Sequence, residues 1–239
     1  MDGNRRFATN LNKSITAGHE YGYLKLLDAL EWCLDLGISC VSVYAFSIDN
    51  FKRPPQEVAM LMQLAEEKLE ELMQEYSLIE RHGVCIRVLG DLALLPASVQ
   101  AAADRVMEAT QHHTRGRLNI CLSYGSRQET AHAVAQLRED LRSGSLAAGD
   151  LTSKALEDRL YTAGCPPVDI LIRTSGESRL SDFMLWQLAH AHLQFTDVLW
   201  PAFSFWDLLK ALVYWQMAHP ELKKVARCVE LQKRAHAVT

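Results

Sequence analysis

DILIRTSGESRLSDF, Asp169–Phe183, changes character in the middle. The run Val168–Ile172 is short, apolar and β-branched, the pattern of a strand buried in a parallel sheet. From Arg173 to Ser181 the chain turns polar, with two arginines, one glycine, three serines and Glu177. Helical spacing then resumes over Ser181–His190. Strand, polar loop and helix in that order are the unit of an open α/β sheet, where ligands bind beyond the carboxyl ends of the strands. Arg173 and Arg179 offer planar forks suited to phosphate oxygens, and Gly176 permits close backbone approach. Ser181 is placed to cap the next helix or to donate to an oxyanion, and that helix start favours negative charge. A plain solvent-exposed loop, its arginines paired with Glu177 and Asp182, is the competing reading.

Outward from this stretch the alternation repeats. Other strand-like runs are Cys40–Phe46, Val84–Leu89 and Leu118–Ser123, with a short one at Leu193–Phe195. Helical spacing covers Gly18–Leu36, Pro54–Arg81, Pro96–His112, Ser126–Leu141 and Thr152–Tyr161, then Phe205–His219 and Glu221 to about Ala235. This order predicts an α/β fold with a central, mainly parallel sheet flanked by helices. No linker or composition shift interrupts the 239 residues, which read as a single domain, 1–239. In the stretch from Pro54, the residues Val58, Leu61, Met62, Ala65, Leu69, Leu72, Met73 and Tyr76 form one apolar stripe. A continuous helix there would be roughly 40 Å long. It either packs on the sheet or lines an elongated apolar cavity.

Composition narrows the class. The chain is 49% hydrophobic and 23% charged, enough for a sizeable core. A net charge of −4 argues against general nucleic-acid binding, so any anion site is local. The six cysteines are scattered without a CxxC pair, which suits a reducing compartment. No run approaches the roughly 18 apolar residues of a membrane-spanning helix, and no signal peptide is visible. Walker-type, GxGxxG, GxSxG, HExxH and Cys/His zinc spacings are all missing.

Two further segments carry site-like chemistry. MDGNRR, Met1–Arg6, joins a carboxylate, a glycine and two arginines. Asn4, Arg5 and Arg6 run toward a helix start, where free N–H groups suit a diphosphate, and Asp2 is the right type for a hard divalent cation. Against this, a terminal hexapeptide is often frayed. Ser47–Pro54, SIDNFKRP, follows the first strand; there Asn50 and Arg53 are candidates to orient a substrate, with Asp49 and Glu57 as partners for arginines. A polar turn is the plainer reading. His19, just after Gly18, suits a phosphate contact or a cap equally.

MDGNRR, YAFSIDNFKRP, IRVLGD and DILIRTSGESRLSDFMLWQ followed by VLWP together resemble the cis-prenyltransferases, from Met1 to about Lys224. The resemblance implies repeated addition of isopentenyl diphosphate to farnesyl diphosphate with cis double bonds, using Mg²⁺ and no DDxxD motif. It implies a long-chain polyprenyl (dehydrodolichyl) diphosphate product for dolichol synthesis, made at the cytoplasmic face of the endoplasmic reticulum membrane by a peripherally associated protein. By the same resemblance Asp2 is the magnesium-associated aspartate. Gly3, Asn4, Arg6 and His19 then hold and ionise the starter diphosphate, with Arg5 alongside. Arg173, Arg179 and Ser181 receive isopentenyl diphosphate, while Asn50, Phe51, Arg53 and Glu57 stand at the mouth of the site. The helix from Pro54 walls a product tunnel.

The chain departs from that pattern in several places. Ile15 stands where the family has an arginine, and His192 where single-subunit bacterial members have a metal-associated glutamate. The carboxyl-terminal RxG motif is not found. The first implies a missing diphosphate contact; the other two fit a heteromer in which a Nogo-B-receptor-like subunit supplies the RxG tail. The family's first strand, which precedes MDGN, is also not in this sequence. A non-catalytic, partner-binding member of the same fold is the alternative these departures leave open.

Overall fold

The computed structural model describes residues 1–73 and 78–236. Its helices are α1 (Asn4–Asn10), α2 (Ile15–Asp35), α3 (Pro55–Glu71), α4 (Leu78–His82), α5 (Ala97–Thr110), α6 (Ser126–Ser143), α7 (Ser153–Glu157) and α8 (Phe205–His236). Its strands are β1 (Cys40–Ser47), β2 (Val84–Leu89), β3 (Gly116–Tyr124), β4 (Ile170–Arg173) and β5 (His192–Phe195). All the strand pairings described are parallel, as the alternating pattern requires. The chain divides into two compact units, Met1–Ala29 with Pro167–Thr239, and Leu30–Pro166.

In the Leu30–Pro166 unit the strand order is β1-β3-β2. The central strand β3 is buried at all but one of its positions, which explains why LNICLS shows no alternation. Val43 and Val88 both register on Ile120 across the sheet. Helix α5 packs on β2 and on α3, and its Val99, Ala102, Ala103 and Val106 are fully buried. Thr110, at the end of α5, accepts the Ile86 N–H at 3.0 Å and donates to the Val106 carbonyl at 2.7 Å.

The other unit holds the parallel pair β4-β5, with α8 against β5 and α1 against a 3-10 turn at Trp200–Ala202. Its core gathers Ala8, Leu26, Phe183, Met184, Leu188, Trp200, Phe203 and Leu208. Ser204 and Asp207 cap α8 reciprocally: Asp207 Oδ2 accepts from Ser204 N at 2.9 Å, and Ser204 Oγ from Asp207 N at 3.3 Å.

Five expected helices come out differently. Ser181–His190 is a run of turns, because Ser181, Asp182 and Met184 take left-handed φ values of 51°, 58° and 46° that no right-handed helix contains. The stretch from Pro54 is not one helix; α3 ends at Glu71, Leu72 and Met73 form a turn, and α4 starts at Leu78. Tyr76 of the apolar stripe lies outside the described residues. Thr152–Tyr161 forms a helix only over Ser153–Glu157 before breaking into turns. Conversely, the two final stretches join through Pro220 into α8, since Pro220 is exposed and its missing N–H leaves no buried acceptor unpaired.

Candidate active site

β4 ends at Arg173, where its ladder with β5 is prolonged by loop contacts. Thr196 N donates to Arg173 O at 3.0 Å, Gly176 N to Thr196 O at 2.9 Å and Ser175 N to Val198 O at 2.8 Å. Ser175 is held at φ 77°, a conformation costly for a residue with a Cβ. All of its polar groups are engaged: its hydroxyl donates to Asp2 O at 2.5 Å and its carbonyl accepts from Arg6 Nη2 at 2.9 Å. Asp2 O accepts a second bond from Trp200 N at 3.1 Å. The opening segment is therefore tied to the carboxyl-end loop of β4 rather than frayed. Gly3 fits that seam because its φ is 98° and a Cβ there would stand 2.4 Å from Ser175 Oγ.

The side chains follow from this backbone. Arg173 Nε donates to Asp2 Oδ2 at 3.0 Å, while its Nη1 donates to Ser181 Oγ at 3.0 Å and to the Arg179 carbonyl. Arg173 is 11% exposed and Asp2 42%, so the arginine backs the carboxylate, which faces solvent. Glu177 bridges two more arginines, Arg6 at 3.3 Å through one oxygen and Arg179 through the other. Arg6, Arg173 and Arg179 thus meet Asp2 and Glu177 in this region, with Asp197 beside Gly176. Ser181 is neither a helix cap nor part of a helix start, as the sequence had suggested; it is a partner of Arg173.

Asn4 begins α1 and is set against α2 at two glycines. A Cβ on Gly18 would stand 2.4 Å from the Asn4 carbonyl oxygen, and one on Gly22 2.4 Å from Asn4 Oδ1. That Oδ1 is buried and accepts no hydrogen bond. Trp200 Nε1 donates to Gly22 O at 2.7 Å from the other side. His19 is half-buried on α2, next to Gly18, and Ile15 is exposed at the first turn of that helix. His192 opens β5, opposite Ile170, with its N–H bonded to Asp169 O at 2.9 Å.

Asn50, Phe51, Arg53 and Glu57 belong to the Leu30–Pro166 unit and form a group of their own. Asn50 and Ser47 make a capping box around a 3-10 turn, Asn50 Oδ1 accepting from Ser47 N at 3.1 Å. Phe51 meets Phe46 edge-on at 4.9 Å. Glu57 holds Arg53 Nη1 at 2.9 Å, so the expected carboxylate–arginine pairing exists here. Asp49 instead pairs with Lys52 at 2.6 Å, its nearest cation one turn away.

Among the described residues no three His, Cys, Asp or Glu side chains converge as a metal cage. Asp2 still fits Mg²⁺, which keeps several waters and is usually held by one or two carboxylates plus substrate phosphates. A partly exposed carboxylate beside phosphate-type arginines meets that requirement.

A family model described as "Putative undecaprenyl diphosphate synthase" matches residues 1–222. The chain belongs to the cis-prenyltransferase family. This cis-prenyltransferase is 48% identical over 224 residues to the human protein named dehydrodolichyl diphosphate synthase complex subunit DHDDS, covering 94% of this chain and 67% of that protein. It is 44% identical over 220 residues to an isoprenyl transferase of Thermus thermophilus, covering 90% of this chain and 83% of the other. Its fold matches the crystal structure of lavandulyl diphosphate synthase from Lavandula x intermedia in complex with dimethylallyl diphosphate, with a TM-score of 0.82 and 30% identity over 90% of this chain and 92% of that one. The chain is thus an enzyme of the cis-prenyltransferase family, with the α/β fold expected of it.

Several residues of the site were not singled out in the sequence. Ser175 lies inside the motif but carried no role of its own in the sequence, and Glu177 was expected only as a surface partner of the arginines, which it does pair with. Gly18 and Gly22 had a signal, two glycines four apart on one helix, which pointed to a close helix approach. Trp200 lies in the VLWP stretch of the resemblance, but its role was not legible there, since it depends on a contact 178 residues away.

Proposed function

We propose that this cis-prenyltransferase condenses isopentenyl diphosphate repeatedly onto farnesyl diphosphate, forming cis double bonds and long-chain polyprenyl (dehydrodolichyl) diphosphate for dolichol synthesis. The observation that carries the reading is the joining of Asp2 to Arg173 at 3.0 Å, with Arg6, Arg179 and Ser181 tied to the same loop. A carboxylate and convergent arginines are what a substrate with a diphosphate leaving group needs.

In the proposed reaction the allylic C–O bond of the starter breaks and its electron pair leaves with diphosphate. The π bond of isopentenyl diphosphate attacks the allylic carbon, forming the new C–C bond. Loss of a proton from the adjacent carbon then leaves the next double bond. Mg²⁺, held by Asp2, would supply neutralising charge for the diphosphate oxygens. Gly3 and Asn4 fix the backbone beside the starter, with Arg5, Arg6 and His19 supplying cationic or hydrogen-bonding contacts. Arg173, Arg179 and Ser181 orient isopentenyl diphosphate. Arg53, aligned by Glu57 and flanked by Asn50 and Phe51, is a further proposed substrate contact. Fixing both reactants in register lowers the barrier through orientation.

Residues 1–239 serve on this reading as one catalytic domain, active as a heteromer with a Nogo-B-receptor-like subunit that supplies the RxG tail. The names of the human and fission-yeast relatives, each called a complex subunit, support assembly. No helix among the described residues is long and apolar enough to cross a membrane. The proposed location is peripheral, at the cytoplasmic face of the endoplasmic reticulum membrane, where an oily product is delivered.

The test is incorporation of radiolabelled isopentenyl diphosphate with farnesyl diphosphate, Mg²⁺ and the partner subunit. Long prenyl diphosphates are expected from the wild type and none from Asp2→Ala. Full turnover in that variant removes Asp2 from the mechanism, and short products only from the wild type remove the dolichol assignment.

A further inference from the structure

The parallel register of the Leu30–Pro166 unit gathers residues far apart in sequence onto one sheet face. Cys40 and Cys85 both register on Arg117, and Ser42 and Arg87 on Asn119. Side chains two apart on a strand point the same way. Cys40 and Ser42 of β1, Cys85 and Arg87 of β2, and Arg117 and Asn119 of β3 therefore share that face, with Cys121 buried further along it.

The turn Tyr161–Cys165 is fastened over these residues. Arg87 donates Nη2 to Tyr161 O and Nη1 to Ala163 O, each at 2.8 Å, and Arg117 donates Nη1 to Gly164 O at 2.6 Å. This brings Cys165 Sγ to 3.5 Å from Arg117 Nη1, 3.7 Å from Arg87 Nη1 and 3.4 Å from Asn119 Nδ2. A contact of the opposite sense, Sγ to Asn119 Oδ1, is longer at 3.9 Å. Two guanidiniums and the shorter amide contact place Cys165 Sγ mainly as an acceptor beside positive charge, surroundings that favour its thiolate. Asn119 Nδ2 also reaches Cys40 Sγ at 3.6 Å, so the two sulfurs share one amide donor.

We infer that Cys165 is a reactive thiolate and a site of peroxide oxidation, with Cys40 as its resolving thiol. Both are free and half-buried, neither sealed in the core nor fully exposed. In the first step the Cys165 thiolate attacks one oxygen of hydrogen peroxide; the O–O bond breaks, sulfur is oxidised to sulfenic acid and hydroxide leaves. In the second, Cys40 sulfur attacks the Cys165 sulfur, the S–O bond breaks, and a disulfide and water form with the Cys40 proton.

The electrostatics agree with the geometry. The hydrogen bond from Cys40 holds the Cys165 thiol below the ordinary thiol range, burial opposes this, and Arg117, Asn119 and Arg87 reinforce it. The same interaction, with burial, pushes the Cys40 thiol upward. Thiolates beside arginine are the reactive class of cysteine. None of these residues is used in the proposed prenyl transfer.

The test is iodoacetamide labelling of the intact protein across pH 4–9, read per cysteine by peptide mass spectrometry, with N-acetylcysteine as the free-thiol reference. Cys165 is expected to label with a midpoint below the reference, and at pH 6 roughly tenfold faster relative to its plateau. Arg117→Gln should move the midpoint up and Arg117→Lys should restore most of it. Equimolar peroxide should produce a Cys40–Cys165 crosslinked peptide, replaced in Cys40→Ser by a dimedone adduct at Cys165. A wild-type midpoint equal to the free thiol, or peroxide that links no Cys40–Cys165 peptide, overturns the inference without reference to any variant.

Discussion

Arg173 Nε donates to Asp2 Oδ2 at 3.0 Å, and the arginine is the more buried partner, 11% exposed against 42%. The rear of the carboxylate is thus fixed by a rigid fork while its front faces solvent. Lysine carries the charge but not the fork, so it cannot serve Asp2, Ser181 and the Arg179 carbonyl at once. Arg173→Lys is expected to lower kcat/KM by about a hundredfold, the effect of misplacing reacting groups by about 1 Å. Steady-state kinetics with a circular dichroism control checks this; a loss below threefold would show that charge alone suffices.

Glu177 offers a different measurement. Its partners Arg6 and Arg179 are 54% and 67% exposed, so the two ion pairs contribute little to stability in screening solvent. Glu177→Gln should leave Tm within about 2 °C of wild type. On the proposed reaction its effect should fall on both diphosphate substrates, whose KM values are expected to rise about threefold to tenfold as Arg6 and Arg179 lose their common anchor. A fall in KM would mean instead that Glu177 competes with the substrate for them.

Gly18 and Gly22 make a matched pair. An added methyl at Gly18 meets the Asn4 backbone carbonyl, whereas at Gly22 it meets the movable end of the Asn4 side chain, each at 2.4 Å. Alanine gains up to about 1 kcal/mol of helix propensity at either position, and overpacking costs typically 1–3 kcal/mol. Gly18→Ala should therefore be destabilising by about 1–2 kcal/mol net, and Gly22→Ala nearer neutral. Urea denaturation of both variants decides it, and equal midpoints would contradict the backbone argument.

Cys33, buried on α2, is the counterpart of Cys165. Burial pushes its thiol up from 9.0 to about 11. The folded chain keeps the proton where the unfolded chain releases it, so stability is full below pH 9 and falls between pH about 9 and 11. The loss approaches roughly 2–3 kcal/mol at the upper limit. Cys33→Ala lacks this component. The stability gap between it and wild type should shrink from pH 8 to pH 10.5 in guanidinium titrations; a constant gap would rule the linkage out.

The strands were legible because their signal is local. CVSVYAF, VCIRVL and LNICLS are apolar runs of strand length, and β2 begins and ends where its run does. Ser181–His190 misled because helical spacing of apolar residues does not reveal the left-handed φ values at Ser181, Asp182 and Met184. The two halves of the candidate site were recognisable as arginine-rich segments, yet Glu177 was read only as a surface partner. Its bridge between Arg6 and Arg179 needs residues 171 positions apart to meet. The cysteine cluster was illegible for a similar reason: Cys40 and Cys165 become neighbours only through the register of β1 on β3 and the turn that Arg87 and Arg117 pull down.

The seating of Asp2 bears on how a ribosome must make this protein. Asp2 O is held by Ser175 and Trp200, and its carboxylate by Arg173, all within a unit whose two segments are separated by residues 30–166. At about 5–20 residues per second, the nascent segment around Asp2 waits on the order of ten seconds for those partners to be synthesised. The Leu30–Pro166 unit is complete before then. During that interval the acidic residue has no arginine behind it and Gly3 has no Ser175 to rest on. A chaperone that shields the segment around Asp2, or a pause in translation just after residue 200, would act on the yield of competent enzyme without touching any residue of the finished fold.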